Sequence, residues 1–355
     1  MASQPDCAPP FSQCFLSART QQDIERDEQI YNSYEKLTSQ LPIRRDWSPF
    51  DLQLFQSFWI PTKFVPPCMA IQAHFNPRPS DILLVTSPKS GTTWLSALSF
   101  ATLHRHSFSL SLSDNPLLTR TPRQCVPLLE NFFFHRTIPN LNVLPSPTIF
   151  ATHLPFSLLP ESALRCRIVY LCRDPKDTFV SLCHFLESWM ISSTEHKSTT
   201  QGFDLSKAFQ MFSQGTSTFG PFWDHVLGYW KESLRSPEMV LFFRYEEMME
   251  DPVNHLRRLG QFMGCPFSME EERDGVVEDI VKLCSFDNLR ELEVNKDNKG
   301  SLEEKRPPAS SFFRKGKVGD WVNYLSMEMA EKLDAITNEK LHGSGLSFES
   351  SSVVP

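Results

Sequence analysis

A short loop that follows a buried apolar run is the feature that most constrains the fold of this chain. Residues 86–94 read T-S-P-K-S-G-T-T-W, directly after the apolar run I-L-L-V at 82–85. When a strand enters a helix through such a loop, the N–H groups of the loop and of the first helical turn have no intrahelical partner. Lys89 adds a full positive charge to these donors. The segment therefore predicts an anion site at the end of a strand.

The spacing of this loop differs from that of the common nucleotide-binding loop, G-x-x-x-x-G-K-[ST]. The glycines that this motif places six positions and one position before its lysine are missing, since Leu83 and Pro88 stand there. A strand, a turn and a helix with one lysine are also a common structural arrangement. The segment alone therefore leaves a purely structural role open.

Three further apolar runs predict strands, since each is short and continuous, as in strands that are buried on both faces. The amphipathic stretches between them are long enough to be crossover helices. We therefore expect an α/β fold, with a central, mostly parallel sheet flanked by helices and a P-loop-like anion-binding loop. The strand runs are 148–151, 168–172 and 239–243, and the helical stretches are 219–234 and 252–263.

The beginning of the chain is more polar than the rest. Residues 1–45 are rich in charged and polar side chains, and apolar density rises from Trp47 onwards. We interpret residues 1–45 as a flexible N-terminal arm and residues 46–355 as a single domain.

The residues that follow the predicted strands form a chemically distinctive set. In parallel sheets, ligands bind in a crevice at the carboxyl ends of the strands. The chain places Lys89, His153, Arg173 and Tyr245 just beyond its four apolar runs. We therefore expect two cations, an imidazole and a phenol to meet at one edge of the sheet.

Composition and cysteine usage narrow the class of protein. The 355 residues are 40% hydrophobic and 22% charged, as in soluble globular proteins. The net charge of −7 disfavours a nucleic-acid partner, which would require a basic face. The nine cysteines have no C-x-x-C pair or zinc-like spacing, and we interpret them as reduced thiols of a cytoplasmic protein. No His/Asp cluster has metal-ligand spacing either, so we expect no bound metal. The N-terminal residues do not have the pattern of a secretory signal, and no apolar run reaches the length of about 18 residues that a transmembrane helix needs. We therefore expect no contact with a membrane.

A second motif, R-D-P-K-D-T-F-V-S at 173–181, also predicts a helix that begins after a strand. Asp174 suits the N-cap, and Pro175 suits the first helical position, where its missing N–H has no consequence. The planar fork of Arg173 can bind a phosphate at that N-terminus, with Ser181 two turns further along. An isolated arginine pairs with a carboxylate more often than with a ligand, and a lone helical serine is more often only structural, so this motif alone is also ambiguous.

Five motifs occur in one order along the chain. They are P-K-S-G-T-T-W at 88–94, T-H-L-P at 152–155, R-D-P-K-D-T-F-V-S at 173–181, R-Y-E-E-M at 244–248 and F-R-K-G-K-V-G-D-W at 313–321. Through these motifs the chain resembles the cytosolic sulfotransferases, with features of their plant branch, over residues 47–348. Those enzymes take a sulfuryl group from 3′-phosphoadenosine 5′-phosphosulfate (PAPS), so the resemblance implies PAPS as co-substrate and a sulfotransferase domain over residues 46–355.

The resemblance implies a role for each matching residue. Lys89 would stabilise the charge on the departing phosphate, and His153 would take the proton of the acceptor hydroxyl. Phe185 would face the acceptor. The residues implied to bind PAPS are Lys89, Ser90, Gly91, Thr92, Thr93, Trp94, Arg173, Ser181, Tyr245, Cys284, Ser285, Phe286, Arg314, Lys315 and Gly316.

His153 is also the candidate general base on chemical grounds. An alcohol or phenol with a high pKa must lose its proton as it attacks sulfur, and a neutral imidazole suits that task. A lone histidine is more often structural. The position of His153 among the phosphate-binding motifs favours catalysis.

The acceptor is less constrained than the donor. We expect a small, largely apolar hydroxylated metabolite of the flavonoid, steroid-like, jasmonate or desulfoglucosinolate type, and the run Phe132-Phe133-Phe134 is a candidate pocket wall. Ala151 stands where many animal relatives have a lysine. Segment 322–331 lacks the Lys and Thr-Val pair of the family's dimerisation motif, so we expect a monomer or a weak homodimer.

Three alternatives remain open on the sequence. A nucleotide kinase-like phosphotransferase would also have a phosphate loop after a strand, but it predicts the Walker spacing and an acidic Mg²⁺ ligand. A Golgi carbohydrate sulfotransferase would carry an N-terminal anchor. A non-catalytic nucleotide-binding protein would also have the phosphate-binding motifs, but it would not need a general base such as His153.

Overall fold

The computed structural model describes residues 20–47, 49–110, 115–193, 203–296 and 308–348. A parallel sheet of four strands lies at its centre, and each predicted strand agrees with an observed one to within one residue at either end. A small antiparallel sheet precedes it. The strands are β1 (Ile43–Arg44), β2 (Leu52–Phe55), β3 (Phe58–Pro61), β4 (Ile82–Thr86), β5 (Ile149–Thr152), β6 (Arg167–Cys172) and β7 (Val240–Arg244).

The central sheet has the spatial order β5-β4-β6-β7, and all its neighbours are parallel. Successive side chains face opposite sides and contribute to two separate hydrophobic cores. Leu83 and Val85 of β4 lie in one core, whereas Ile82 and Leu84 lie in the other. Because both faces are covered, every position of these strands can be apolar, which explains the continuous apolar runs in the sequence.

Helices cover both faces of the central sheet, so the predicted α/β architecture is confirmed. The two predicted crossover helices lie at Phe222–Arg235 and Pro252–Met263. The helices are α1 (Gln21–Thr38), α2 (Val65–His74), α3 (Thr92–His104), α4 (Pro116–Thr119), α5 (Pro122–Cys125), α6 (Leu129–Phe132), α7 (Pro175–Ser193), α8 (Leu205–Ser213), α9 (Phe222–Arg235), α10 (Tyr245–Glu250), α11 (Pro252–Met263), α12 (Met269–Arg273), α13 (Val276–Leu283), α14 (Phe286–Glu291), α15 (Glu293–Lys296) and α16 (Met327–Leu341).

The N-terminal segment differs from its prediction over the part that the structure describes. Residues 20–45 contain α1, which begins at a capping box formed by Thr20 and Asp23. Tyr31 is 1% exposed and belongs to the main core, and buried Asp27 accepts the backbone N–H of Ile138 at 2.8 Å. The interpretation of residues 20–45 as a flexible arm is therefore wrong, because this helix is packed and hydrogen-bonded to the domain. Residues 1–19 lie outside the described ranges.

Two further properties concern the described residues only. None of their helices is both long and apolar enough to cross a membrane. The cysteines among them are free thiols, namely Cys68, Cys125, Cys166, Cys172, Cys183, Cys265 and Cys284. Cys7 and Cys14 lie outside the described ranges.

Candidate active site

The residues that follow the central strands meet at one edge of the sheet, as predicted. The guanidinium of Arg173, after β6, lies 4.7 Å from the centre of the Tyr245 ring, after β7. His153, after β5, hydrogen-bonds through Nδ1 to the last residue of β4, the carbonyl of Thr86, at 2.8 Å. Parallel pairing of β5, β4, β6 and β7 brings these otherwise distant side chains together.

The loop between β4 and α3 has the geometry of an anion cradle. Lys89 has φ +69°, and Gly91 at the N-cap of α3 has φ +112°. The helix therefore begins at Thr92 with its free N–H groups directed out of its N-terminus. The hydroxyl of Ser90 is buried without a hydrogen-bond partner. A buried donor without a partner is costly, so an acceptor bound in the loop would satisfy this hydroxyl.

Gly91 lies so close to two buried side chains that an added Cβ would force one of them to move. A Cβ atom there would be 2.9 Å from Leu171 Cδ2 and 3.0 Å from Tyr245 Cδ2. We expect Gly91→Ala to lower the free energy of unfolding by about 2–4 kcal/mol, since it adds both a clash and backbone strain. Gly275→Ala is the matched control, because Gly275 has φ +77° but no atom within 4 Å of the added Cβ. Equal losses in urea unfolding of the two variants would refute the clash at Gly91.

The hydrogen bonds of His153 define which ring nitrogen can act as a base. The carbonyl of Thr86 can only accept, so Nδ1 of His153 must carry the proton. The lone pair of the neutral ring is therefore on Nε2. Burial, together with the smaller effect of nearby cations, lowers the pKa of His153 to about 3, although the Thr86 hydrogen bond acts in the opposite direction. His153 is thus a neutral proton acceptor at physiological pH.

A buried carboxylate holds the His153 backbone in place. Glu130 is fully buried, and its Oε1 accepts the N–H of His153 at 2.6 Å and the hydroxyl of Thr152 at 2.8 Å. Burial raises the pKa of Glu130 to about 7. From the other side, His225 Nε2 donates to the His153 carbonyl at 2.9 Å. His153 is therefore held by contacts on both sides.

Arg173 links the start of α7 to the loop that follows residue 313. Its Nη2 donates to the carbonyl of Lys317 at 2.7 Å and lies 3.4 Å from Asp177 Oδ2. Asp177 in turn accepts the N–H groups of Gly319 and Trp321, at 2.7 and 3.0 Å. Nε of Arg173 is buried without a partner, so one donor of this fork is available to a ligand.

The cationic loop is anchored by an acid that the sequence analysis does not single out. Arg314 donates to Asp320 Oδ2 at 2.5 Å, and Lys315 donates to Asp320 Oδ1 at 2.9 Å. Gly316 has φ +61°, and a Cβ there would be 2.4 Å from the Phe286 ring. The loop therefore packs directly on the segment that begins at Cys284, and two segments distant in sequence converge as the resemblance implies.

Most of the other residues singled out from the sequence lie near the ones described above, and Phe133 is the exception. The rings of Trp94 and Tyr245 are 5.4 Å apart, and Lys89 Nζ lies 4.4 Å from the centre of the Phe185 ring. Ser181 is 7% exposed on α7. Within the run 132–134, Phe133 is completely buried in the main core, so it is a packing residue and not a pocket wall. Thr93 starts α3 with Thr92, Cys284 is fully buried, and the Ser285 hydroxyl caps α14.

Arg123 and Phe312 are site residues that no motif predicts. The guanidinium of Arg123 lies 4.5 Å from the centre of the Phe312 ring, and Lys89 Nζ lies 5.2 Å from the same centre. Burial, followed by the charges of Arg123, Arg173 and Arg314, lowers the pKa of Lys89 to about 7. This concentration of positive charge fits a polyanionic ligand. Within the described ranges, no group of three or more His, Cys, Asp or Glu side chains has a metal-binding arrangement.

Comparison with known proteins finds sulfotransferases that are similar to this chain over most of its length. Residues 79–345 match the family described as Sulfotransferase domain. Cytosolic sulfotransferase 15 of Arabidopsis thaliana is 43% identical over 360 residues, which cover 98% of this chain and 98% of that protein. Cytosolic sulfotransferase 14 of the same plant is 42% identical over 352 residues, with 96% and 98% coverage.

Solved structures of sulfotransferases have the same fold. That of an Arabidopsis thaliana putative steroid sulphotransferase has 37% sequence identity and a TM-score of 0.69, and the match covers 88% of this chain and 94% of that one. A mouse sulfotransferase complexed with PAP has 26% identity and a TM-score of 0.59, with 83% and 95% coverage.

Proposed function

The chain belongs to the sulfotransferase domain family, and on this basis we propose that it transfers a sulfuryl group from PAPS to a hydroxyl group of a small, largely apolar metabolite. The convergence of Lys89, His153 and Arg173 at one sheet edge carries the proposal. The presence of PAP in the mouse relative supports the same nucleotide here. The word cytosolic in the names of both plant relatives supports a cytoplasmic location.

The donor would be held by two cationic segments. The loop around Lys89, with the free Ser90 hydroxyl and the N-terminus of α3, suits the phosphosulfate end. Arg173, Ser181 and the loop at 314–316 suit the 3′-phosphate, and Trp94, Tyr245 and 284–286 suit the nucleoside. The unpartnered Ser90 Oγ and Arg173 Nε are donors that such a ligand would satisfy.

His153 and Lys89 would act on opposite sides of the transferred group. Nε2 of His153 carries the lone pair that takes the acceptor proton as the acceptor oxygen bonds to sulfur. The donor S–O bond breaks with its electron pair going to the phosphate, and Lys89 stabilises that charge. Phe185 contacts Lys89 and would border the acceptor. The proposed acceptors are hydroxylated metabolites of the flavonoid, steroid-like, jasmonate or desulfoglucosinolate type, and the proposed assembly is a monomer or weak homodimer without metal.

A parallel donor assay tests the reaction class. The chain is incubated with sulfur-labelled PAPS, and separately with γ-labelled ATP and Mg²⁺, in the presence of the same panel of phenols and aliphatic alcohols. We expect label in the acceptors from PAPS only, and unchanged in excess chelator. Label transferred from ATP would support the phosphotransferase alternative and overturn the proposal.

Nucleotide binding is expected to take up a proton at Lys89. Burial and three arginines lower the pKa of free Lys89 to about 7, and a bound phosphate would raise it. PAP affinity should therefore be greatest below pH 7 and fall as pH rises through 7, by at most about tenfold per unit. Titration calorimetry in buffers of different ionisation enthalpy measures this uptake. An affinity that is constant from pH 6 to 8.5 would contradict it.

A further inference from the structure

Arg123 is a cation at the candidate active site that the donor site does not account for. It is half-buried on the short helix α5. Its guanidinium and the ammonium of Lys89 lie against the same Phe312 ring, at 4.5 and 5.2 Å. Two like charges held on one ring repel each other, so an anion between or beside them would be stabilised.

No acid of the described chain forms an ion pair with Arg123. Within the described ranges, no carboxylate oxygen lies within 4.0 Å of its guanidinium, and none of its donors has a hydrogen-bond partner. Glu130 is the acid whose charge acts on it from further away: its Oε1 accepts from His153 and Thr152, and its buried Oε2 has no hydrogen-bond partner. A planar fork of five donors therefore remains free at the site.

Arg123 shares the Phe312 ring with Lys89 but is separate from the two arginines proposed to bind the 3′-phosphate. Arg173 and Arg314 are tied to Lys317, Asp177 and Asp320 in the loop assigned to the 3′-phosphate. After burial, Arg123 instead makes the largest charge contribution to the lowered pKa of His153, where the acceptor hydroxyl must arrive.

An apolar wall borders this cation. The rings of Phe185 and Phe312 are 5.5 Å apart, and Phe312 carries the Arg123 guanidinium on its face. A ligand that reaches His153 past these rings would place its apolar body against them and a polar group within reach of Arg123. An anionic group binds an arginine guanidinium more strongly than a neutral group does, because charge-assisted hydrogen bonds are stronger than those between neutral groups.

We propose that Arg123 binds an anionic group of the acceptor, so that the preferred acceptors are hydroxylated acids, bearing a carboxylate or a sulfate ester, and not neutral alcohols. This inference rests on the proposed sulfotransferase function. The reaction itself is unchanged: the hydroxyl oxygen bonds to sulfur, its proton goes to His153, and the donor S–O electron pair leaves with the phosphate. The acidic group of the acceptor only positions the hydroxyl.

Matched acceptor pairs test the proposal. One pair is 4-hydroxyphenylacetate and its methyl ester, and the second is 4-hydroxyphenyl sulfate and 4-methoxyphenol, so the two pairs distinguish a carboxylate from a sulfate preference. kcat/KM is measured for wild type, Arg123→Gln, Arg123→Lys and the control Arg235→Gln, whose exposed side chain lies at the end of α9. Thermal unfolding of each variant verifies the fold.

We expect wild type and Arg235→Gln to favour the acid of at least one pair. Arg123→Gln should lose about 10- to 100-fold in kcat/KM for that acid and less than about threefold for its neutral partner, with Arg123→Lys in between. Equal losses for both members of each pair would overturn the proposal and assign Arg123 to the transfer step. A wild-type preference for the neutral members would also overturn it. Absence of turnover with these four acceptors and with the whole panel of phenols and aliphatic alcohols would instead refute the sulfotransferase proposal on which it rests.

Discussion

His153→Ala should reduce the turnover number by about 10²- to 10⁴-fold, because it removes the base that accepts the acceptor proton. Nδ1 of His153 donates to Thr86 in the structure, which leaves Nε2 as the available lone pair. Burial, together with the cations around the ring, lowers the pKa of His153 and keeps it neutral in the free protein. The phosphates of bound PAPS would partly offset these cations and raise the pKa of His153, which improves it as a base.

The loss should be confined to the chemical step. PAP affinity of His153→Ala, measured by calorimetry, should stay within about threefold of wild type, since the ring makes none of the proposed phosphate contacts. His106→Ala is the control, because the His106 side chain is 72% exposed. If His153→Ala and wild type turn over the same acceptor at the same rate, His153 is not the base.

Lys89→Met should reduce kcat by about 10²- to 10³-fold, because it removes the charge that stabilises the departing phosphate. Methionine keeps an apolar stem of similar length against Phe185. The pKa of Lys89 is lowered to about 7 by burial and three arginines, so its charge is unfavourable in the free protein. The same substitution should therefore leave the free energy of unfolding unchanged or raise it by up to about 2 kcal/mol.

Opposite effects on activity and stability distinguish a ligand-binding lysine from a structural one. Urea unfolding and steady-state kinetics are measured on the same samples, with Lys231→Met on the exposed side of α9 as control. The variant should also lose the pH dependence of PAP affinity around pH 7. A clear loss of stability in Lys89→Met with little change in kcat would contradict this role.

Much of the fold could be predicted from hydrophobic patterning. Strands buried on both faces are continuous apolar runs, and β4 to β7 lie where such runs occur. Because ligands bind at the carboxyl ends of parallel strands, the sequence also predicts that four side chains meet at one sheet edge, those of Lys89, His153, Arg173 and Tyr245. The individual roles of the nucleotide-binding residues depended on the family resemblance, since single cations and hydroxyls have no specific pattern.

The missed features depend on contacts between distant parts of the chain. α1 is mostly polar, and Tyr31 finds its partner at the carbonyl of Phe133, 102 positions away. Glu130 and Arg123 lie on one-turn helices that have no periodic signal. Asp177 is the exception, because it lies in the first turn of a predicted helix and four residues after Arg173, which could have suggested an ion pair.

A single-turnover experiment with sulfur-labelled PAPS tests the central claim most directly. Enzyme in excess over PAPS is mixed with acceptor, and PAP and labelled product are quantified over time in the same quenched samples. The proposed function predicts that both appear at one rate and in equal amounts, and that PAPS stays intact without acceptor. PAPS that binds tightly but never transfers its label to any hydroxylated acceptor would contradict the claim and identify a nucleotide-binding protein.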